Sequence, residues 1–277
     1  PGSVSHPTWS PDGVRLAYAI SGHGPPLVKT GNWLNHLEYD WDSPIWRHFF
    51  VGLSRNHRLV RYDPRGTGLS DWDVADISLD AWVNDVATVV DAVGLDRFPL
   101  LGYSQGCAVS IAYAVRYPER VSHLILYGGF ALGAYKRTPE ESERRKALVT
   151  LMRLEWGADN PAIRQLFATR MMPEAAKEQV DTFNDLQRKT TSAECAARYF
   201  ETTGNVDVTE LLSRVRVPTL VMHQRGDAQV TFEFGREIAA GIPGAKFVAL
   251  QGNNHTLLEQ HPTTRRFFEE INLFLPK

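Results

Sequence analysis

The chain has 277 residues, 43% hydrophobic and 22% charged, with a formal net charge of −2. That length can bury a sizeable apolar core without disulfide or metal staples, and the near-neutral charge excludes nucleic acid and anionic membrane surfaces as partners. Cys107 and Cys195 stand far apart in no metal-like spacing and read as two free thiols, which fits a cytoplasmic protein without a metal or organic cofactor.

In chain order, Pro1-Gly2-Ser3 has the composition of a cloning remnant. "PGSVSHPTWS" lacks the charged start and apolar stretch of a signal peptide. No run approaches the roughly 18 apolar residues of a membrane span. From about Val14 to Phe130, short β-rich runs alternate with helical patterns. "VRLAYAISGHG" reads as a strand ending in a glycine turn, and "PPLVKT", "HRLVRYD", "FPLLGYS" and "VSHLILYGG" as further strands. "DSPIWRHFFVGLSRN", "SLDAWVNDVATVVDAVGL" and "QGCAVSIAYAVRYPER" carry apolar residues at helical spacing, with Ser78 as an N-cap and Gly94 as a stop for the second. This alternation implies right-handed crossovers and a mostly parallel sheet covered on both faces.

Residues 131–206 change character: rich in Glu, Arg and Ala, with no convincing strand, they read as a helical cap. "TPEESERRKALVTLMRLEWG" opens with Thr-Pro-Glu-Glu, a good helix start, and finishes on glycine. Residues 207–277 resume the alternation, with "VPTLVMHQRGD" and "AKFVALQGNNH" as strands, "FEFGREIAAGIPG" as a helix, and a closing helix in "PTTRRFFEEINLFL". The expected organisation is therefore an α/β core, 1–130 and 207–277, interrupted by the cap.

Gly102-Tyr103-Ser104-Gln105-Gly106 is a G-x-S-x-G motif between a buried strand and a helix, the setting of a nucleophile elbow. A serine nucleophile needs a base, and the base needs an orienting group. Asp227 follows one later strand and His255 the next, so both fall at the same sheet edge as Ser104, where open α/β sheets bind ligands. The order Ser, acid, His also agrees with that motif. His223 lies inside a strand and His261 begins the last helix, so both read as packing or surface residues. The turn Gly128-Gly129-Phe130-Ala131, the other usual place for the acid, holds no carboxylate. Asp63-Pro64-Arg65-Gly66 reads as a structural ion pair or turn, Ser70 as a turn or cap residue, Trp41 and Trp46 as helix packing, and Cys107 as buried and inert.

With these residues in place, the chain resembles the α/β-hydrolase superfamily over nearly its whole length. The resemblance rests on "GHGPPLV", "YDPRGTGLSD", "GYSQG", "YPERVSHLIL", "VPTLVMHQRGDAQV" and "GNNHTLLE". It implies an α/β-hydrolase fold with the cap inserted after the strand ending near Tyr127. A narrower likeness, in "GNWLNHLEYDWDSPIWRHFF", is to hydrolases related to modules fused to nucleotide-cyclase or LuxR-type regulatory domains. Most superfamily members place a His-Gly pair after the strand corresponding to "LVKT", and the next residue supplies an oxyanion-hole N–H. Here the stretch is Thr30-Gly31-Asn32-Trp33-Leu34, which makes Trp33 the donor, or Asn32 if the register slips by one; Gln105 is the second donor. The expected activity is hydrolysis of a small carboxylic ester or lactone by a Ser104–Asp227–His255 triad. The alternatives are enol-lactone or C–C bond hydrolysis on the same triad, and a small-molecule receptor with slow turnover.

Overall fold

Period-two apolar runs become one eight-stranded sheet in the order β1 (Ser5–Trp9), β2 (Arg15–Ser21), β4 (Arg58–Asp63), β3 (Pro26–Lys29), β5 (Phe98–Tyr103), β6 (Val121–Tyr127), β7 (Thr219–Gln224) and β8 (Lys246–Leu250). The structure, a computed structural model, describes residues 5–276; Pro1-Gly2-Ser3 lie outside the described residues. The β1–β2 and β2–β4 pairs are antiparallel and every other pair is parallel. Central strands such as β5 are buried on both faces, as continuous apolar runs in a parallel sheet must be. β1 is absent from the sequence reading. Its "SHPTW" is a half-exposed edge strand whose polar residues carry no apolar alternation.

The first crossovers hold α1 (Leu37–Asp42), α2 (Arg47–Ser54), α3 (Leu79–Val93) and α4 (Gly106–Arg116). Ser78 caps α3 by accepting the Ala81 N–H, and Gly94 ends it at φ +71°. The sequence reading runs one helix through the α2 region and misses α1, a single short segment whose N-cap is His36. Trp46 is buried against Phe49, Phe50 and Tyr103, and Trp41 lies over the Arg61 guanidinium, so both tryptophans serve packing. Arg65 is buried between Asp85, at 2.7 Å, and Asp12, at 2.6 Å, which makes the Asp63–Gly66 loop a structural tie. Ser70 also serves structure: its hydroxyl donates to Asp63 O and accepts the Ala17 N–H, joining this loop to β2.

After β6 the chain leaves the sheet and builds α5 (Pro139–Glu155), α6 (Ala162–Met171), α7 (Lys177–Thr190) and α8 (Ala193–Asn205). A stem closes this insertion: Gly133 N donates to Val206 O at 2.7 Å and Val208 N to Ala131 O at 2.9 Å, across an isolated Leu132–Asp207 bridge. Thr138 caps α5 through the Glu141 N–H, with Pro139 in the first turn. The short α9 (Thr209–Leu212), α10 (Phe232–Gly241) and α11 (Pro262–Phe274) complete the chain. Among the described residues, no helix is long and apolar enough to cross a membrane.

The insertion is bound to the core through aromatic rings. Trp33, in the loop after β3, meets Trp156 of the α5–α6 connection at 5.8 Å, Phe167 of α6 at 5.7 Å and Phe200 of α8 at 5.7 Å between ring centroids. Such offset and edge contacts add about 0.5–1.5 kcal/mol per pair beyond burial. The α5–α8 helices therefore form the roof over the C-terminal edge of the sheet.

Candidate active site

Ser104 sits between β5 and α4 at φ +56°, a left-handed conformation that a non-glycine residue adopts only under constraint. The two motif glycines supply the constraint. A Cβ on Gly102 would stand 2.7 Å from Ser110 Oγ and 2.8 Å from Cys107 Cα, and one on Gly106 2.6 Å from Gly31 O. Both distances are impossible for real atoms, so α4 packs this tightly only because these positions lack side chains. Ser104 N donates to Tyr127 O at 2.8 Å, which fixes the elbow against the end of β6.

Asp227 follows β7 and His255 follows β8, and the two meet: His255 Nδ1 lies 2.6 Å from Asp227 Oδ2, both side chains fully buried. The other carboxylate oxygen accepts the backbone N–H groups of Gln229, at 2.8 Å, and Val230, at 2.9 Å. Burial alone would raise the Asp227 pKa. His255 and His223 outweigh burial and hold the carboxyl below its ordinary value, so it is ionised at neutral pH. With Nδ1 donating to that carboxylate, the imidazole presents Nε2, which is buried and has no hydrogen-bond partner among the described residues.

Gly128 and Gly129 form the floor between these groups. A Cβ on Gly128, at φ +61°, would meet His255 Cε1 at 3.0 Å and Asp227 Oδ2 at 3.8 Å; one on Gly129 would meet Ser104 O at 3.3 Å. A side chain at Gly128 would therefore crowd the Asp227–His255 pair.

The His255 loop is held from below. Tyr103 and Tyr127 both donate to His255 O, at 3.0 and 2.9 Å, and Tyr103 also accepts the Leu257 N–H. His223, read from sequence as packing, is indeed buried in β7, but its Nε2 also lies 3.4 Å from Asp227 Oδ2 while bonding Val230 O at 2.8 Å. A histidine four residues before an acid on one strand gives no such signal, because the turn between them brings the two side chains together.

Ser104 lines an enclosed cavity of about 40 Å³ together with Trp33, Gln105, Phe167, Phe200 and Arg145, among others. A groove of about 520 Å³ between α2 and α11 is larger but shallow, and none of Ser104, Asp227 or His255 lines it. The two candidate donors after β3 differ in their backbone bonding. Asn32 N is engaged by Asn35 Oδ1 at 2.7 Å, whereas neither Trp33 N nor Gln105 N donates to a protein acceptor among the described residues. Cys107 is buried beneath the elbow, and burial drives its thiol pKa far upward, which leaves it unreactive. Cys195 is free and buried as well. Among the described residues, no group of three His, Cys, Asp or Glu side chains is arranged to hold a metal ion.

An eight-stranded, mostly parallel sheet with a strained serine elbow and an acid–histidine pair at its C-terminal edge defines an α/β hydrolase. The alpha/beta hydrolase fold family model matches residues 33–262, and the chain belongs to that family. It is similar to the AB hydrolase superfamily protein YisY of Bacillus subtilis, 28% identical over 87% of this chain and 89% of that one. The 2-hydroxy-6-oxononadienedioate/2-hydroxy-6-oxononatrienedioate hydrolase of Klebsiella pneumoniae is 26% identical over 90% of this chain and 84% of its own. A crystal structure of a hydrolase from Pseudomonas aeruginosa superposes with a TM-score of 0.83 at 25% identity, covering 99% of this chain and 98% of that one. These likenesses support the superfamily and not the narrower subgroup of cyclase- or LuxR-related hydrolases.

Proposed function

We propose that the protein is a serine hydrolase that cleaves small carboxylic esters through an acyl-enzyme on Ser104. The observation that carries this reading is the Asp227–His255 pair at 2.6 Å, whose free Nε2 has no partner, at the sheet edge that also bears the strained Ser104. In this mechanism His255 Nε2 takes the Ser104 proton as Oγ attacks the ester carbonyl. The Trp33 and Gln105 N–H groups hold the oxyanion of the tetrahedral intermediate, and Asp227 stabilises the imidazolium. Collapse expels the alcohol, which receives the proton from His255. Water then attacks the acyl-enzyme with His255 as base, releasing the acid and restoring Ser104.

The aromatic side chains of Trp33, Phe167 and Phe200 beside Ser104 suit a small organic substrate. The Klebsiella relative favours a second reading, hydrolysis of a C–C bond beside a carbonyl on the same triad, and lactone opening needs no further machinery.

The test is twofold. A fluorophosphonate should label Ser104 and fail on Ser104→Ala, which remains folded because little packing is lost. Turnover of methyl and p-nitrophenyl esters of graded length, of lactones and of vinylogous 1,5-diketones then ranks the three chemistries. Labelling at another serine overturns the assignment of Ser104, and labelling without turnover on any panel points to a binding module.

A further inference from the structure

The cavity beside Ser104 has a marked charge asymmetry. No acidic residue lines it among the described residues, whereas Arg145, reaching in from α5, does. The other arginines of that helix behave differently. Arg144 pairs with Glu140, and Arg153 with Glu194 and Glu201, all on the outer surface. Arg145 turns inward, half-buried, and has no carboxylate partner among the described residues. Its Nε and Nη2 donate to Phe200 O, and Nη2 also to Thr203 Oγ1. The guanidinium carbon lies over the Phe200 ring, 3.6 Å from its centroid. These contacts orient the fork without neutralising it, and Nη1 donates to no protein acceptor among the described residues.

The fold makes room for this arrangement. A Cβ on Gly204 of α8 would stand 2.6 Å from Arg145 Nε, so a side chain there would evict the guanidinium. Arg137 and Arg170 add positive field, and together with burial they push the Arg145 pKa down to about 9. It remains charged at neutral pH. A cation held in this way, desolvated and among other cations, is unfavourable unless an anion joins it.

We propose that the substrate carries a carboxylate and that Arg145 receives it while Ser104 attacks the scissile carbonyl. This deepens the reading of Ser104 as nucleophile and rests on it. The guanidinium supplies the charge-assisted hydrogen bonds that a planar carboxylate accepts best. A neutral ester of the same size would leave Arg145 buried and uncompensated, which is how a site built for a polar group rejects an analogue lacking it.

The test compares monomethyl succinate with methyl butyrate, matched in chain length, by proton release. Wild type should favour the anionic ester by about tenfold or more in kcat/KM. Arg145→Met should lose at least about tenfold on monomethyl succinate and gain on methyl butyrate, which no longer meets an uncompensated guanidinium, and Arg145→Lys should recover part of the loss. Free succinate should raise the Tm of wild type and slow its labelling by a neutral fluorophosphonate, with neither effect in Arg145→Met. Succinamide should do neither in wild type. Equal loss on both esters in a folded Arg145→Met would show a packing role and overturn the proposal, as would the absence of any succinate effect on wild type. If Ser104 fails to label while succinate still raises the Tm through Arg145, the anion site stands and the nucleophile reading falls.

Discussion

The carbonyl of Met171, the last residue of α6, accepts the backbone N–H of His255 at 2.9 Å. The same oxygen accepts the Thr256 N–H at 3.0 Å. By sequence, Ser104, Asp227 and His255 all lie outside the insertion, which invites the expectation that removing it would alter substrate choice and spare the chemistry. The bond changes that expectation. The helical roof also holds the loop that carries His255, so its deletion should abolish probe labelling as well.

A gentler disruption tests the same coupling. Glu174, just beyond α6, accepts hydrogen bonds from Asn253 at 2.6 Å and Asn254 at 3.0 Å, the two residues before His255. Glu174→Ala should lower kcat about three- to tenfold by freeing this loop, with a Tm loss of a few degrees because each of the two bonds contributes about 1 kcal/mol. An unchanged kcat would mean that Met171 and the tyrosines below hold His255 unaided.

Those tyrosines give a second prediction. Tyr127 is fully buried, and its hydroxyl donates to His255 O while accepting from Gln224 Nε2 at 2.8 Å. Tyr127→Phe leaves the buried Gln224 amide short of a partner, at a cost of about 1–3 kcal/mol, while His255 O keeps only its bond from Tyr103. Thermal denaturation should show the loss, and kcat should fall with KM nearly unchanged, since the hydroxyl acts on the position of the base and not on substrate. A rise in KM alone would contradict this.

Asp227→Asn provides a pH-dependent test. The wild-type carboxyl titrates below its ordinary value of 3.8, chiefly because burial is overcome by His255 and His223. A carboxyl depressed on folding contributes stability that is present above its unfolded value and is lost as the pH falls below it. The Tm advantage of wild type over Asp227→Asn should therefore be largest near about pH 6 and shrink below about pH 4. At neutral pH the variant should lose about three to four orders of magnitude in kcat, because an amide opposite Nδ1 no longer selects the productive tautomer. A constant Tm difference down to about pH 3 would show that the carboxylate is not held ionised by these histidines.

These groups differ in how far the sequence reveals them. The central strands, the capped helix α3 and the elbow are local signals: apolar runs, Ser78 and Gly94 at helix ends, and glycines flanking Ser104. The meeting of Asp227 with His255 is legible only through the rule that strand ends share an edge, and the distance itself comes from the fold. Arg145 and Glu174 are not legible at all. Both sit in amphipathic helical sequence crowded with charge, where an arginine turned inward looks the same as one turned outward. His223 is hidden for the opposite reason, since a buried strand histidine reads as packing until the β7 turn folds Asp227 back onto it.

The register after β3 is the last point where sequence leaves two answers. Asn32 N is already bonded to Asn35 Oδ1, which supports Trp33 N as the proposed oxyanion donor. Trp33→Ala keeps that N–H and removes an indole that packs on Trp156, Phe167 and Phe200, so it should weaken binding and stability more than kcat. Trp33→Pro deletes the N–H itself. Losing one oxyanion donor costs about 2.7–4 kcal/mol, roughly a hundred- to thousandfold in kcat. Proline also removes the indole, so the comparison is with Trp33→Ala, and the excess loss in kcat measures the donor. Asn32→Pro removes the backbone bond to Asn35 together with the Asn32 side-chain bonds to Lys29, Trp33 O and Asn35, and should cost stability ahead of rate. Should Asn32→Pro fold and lose turnover while Trp33→Pro matches Trp33→Ala, Asn32 is the donor and the bond to Asn35 must give way when substrate binds.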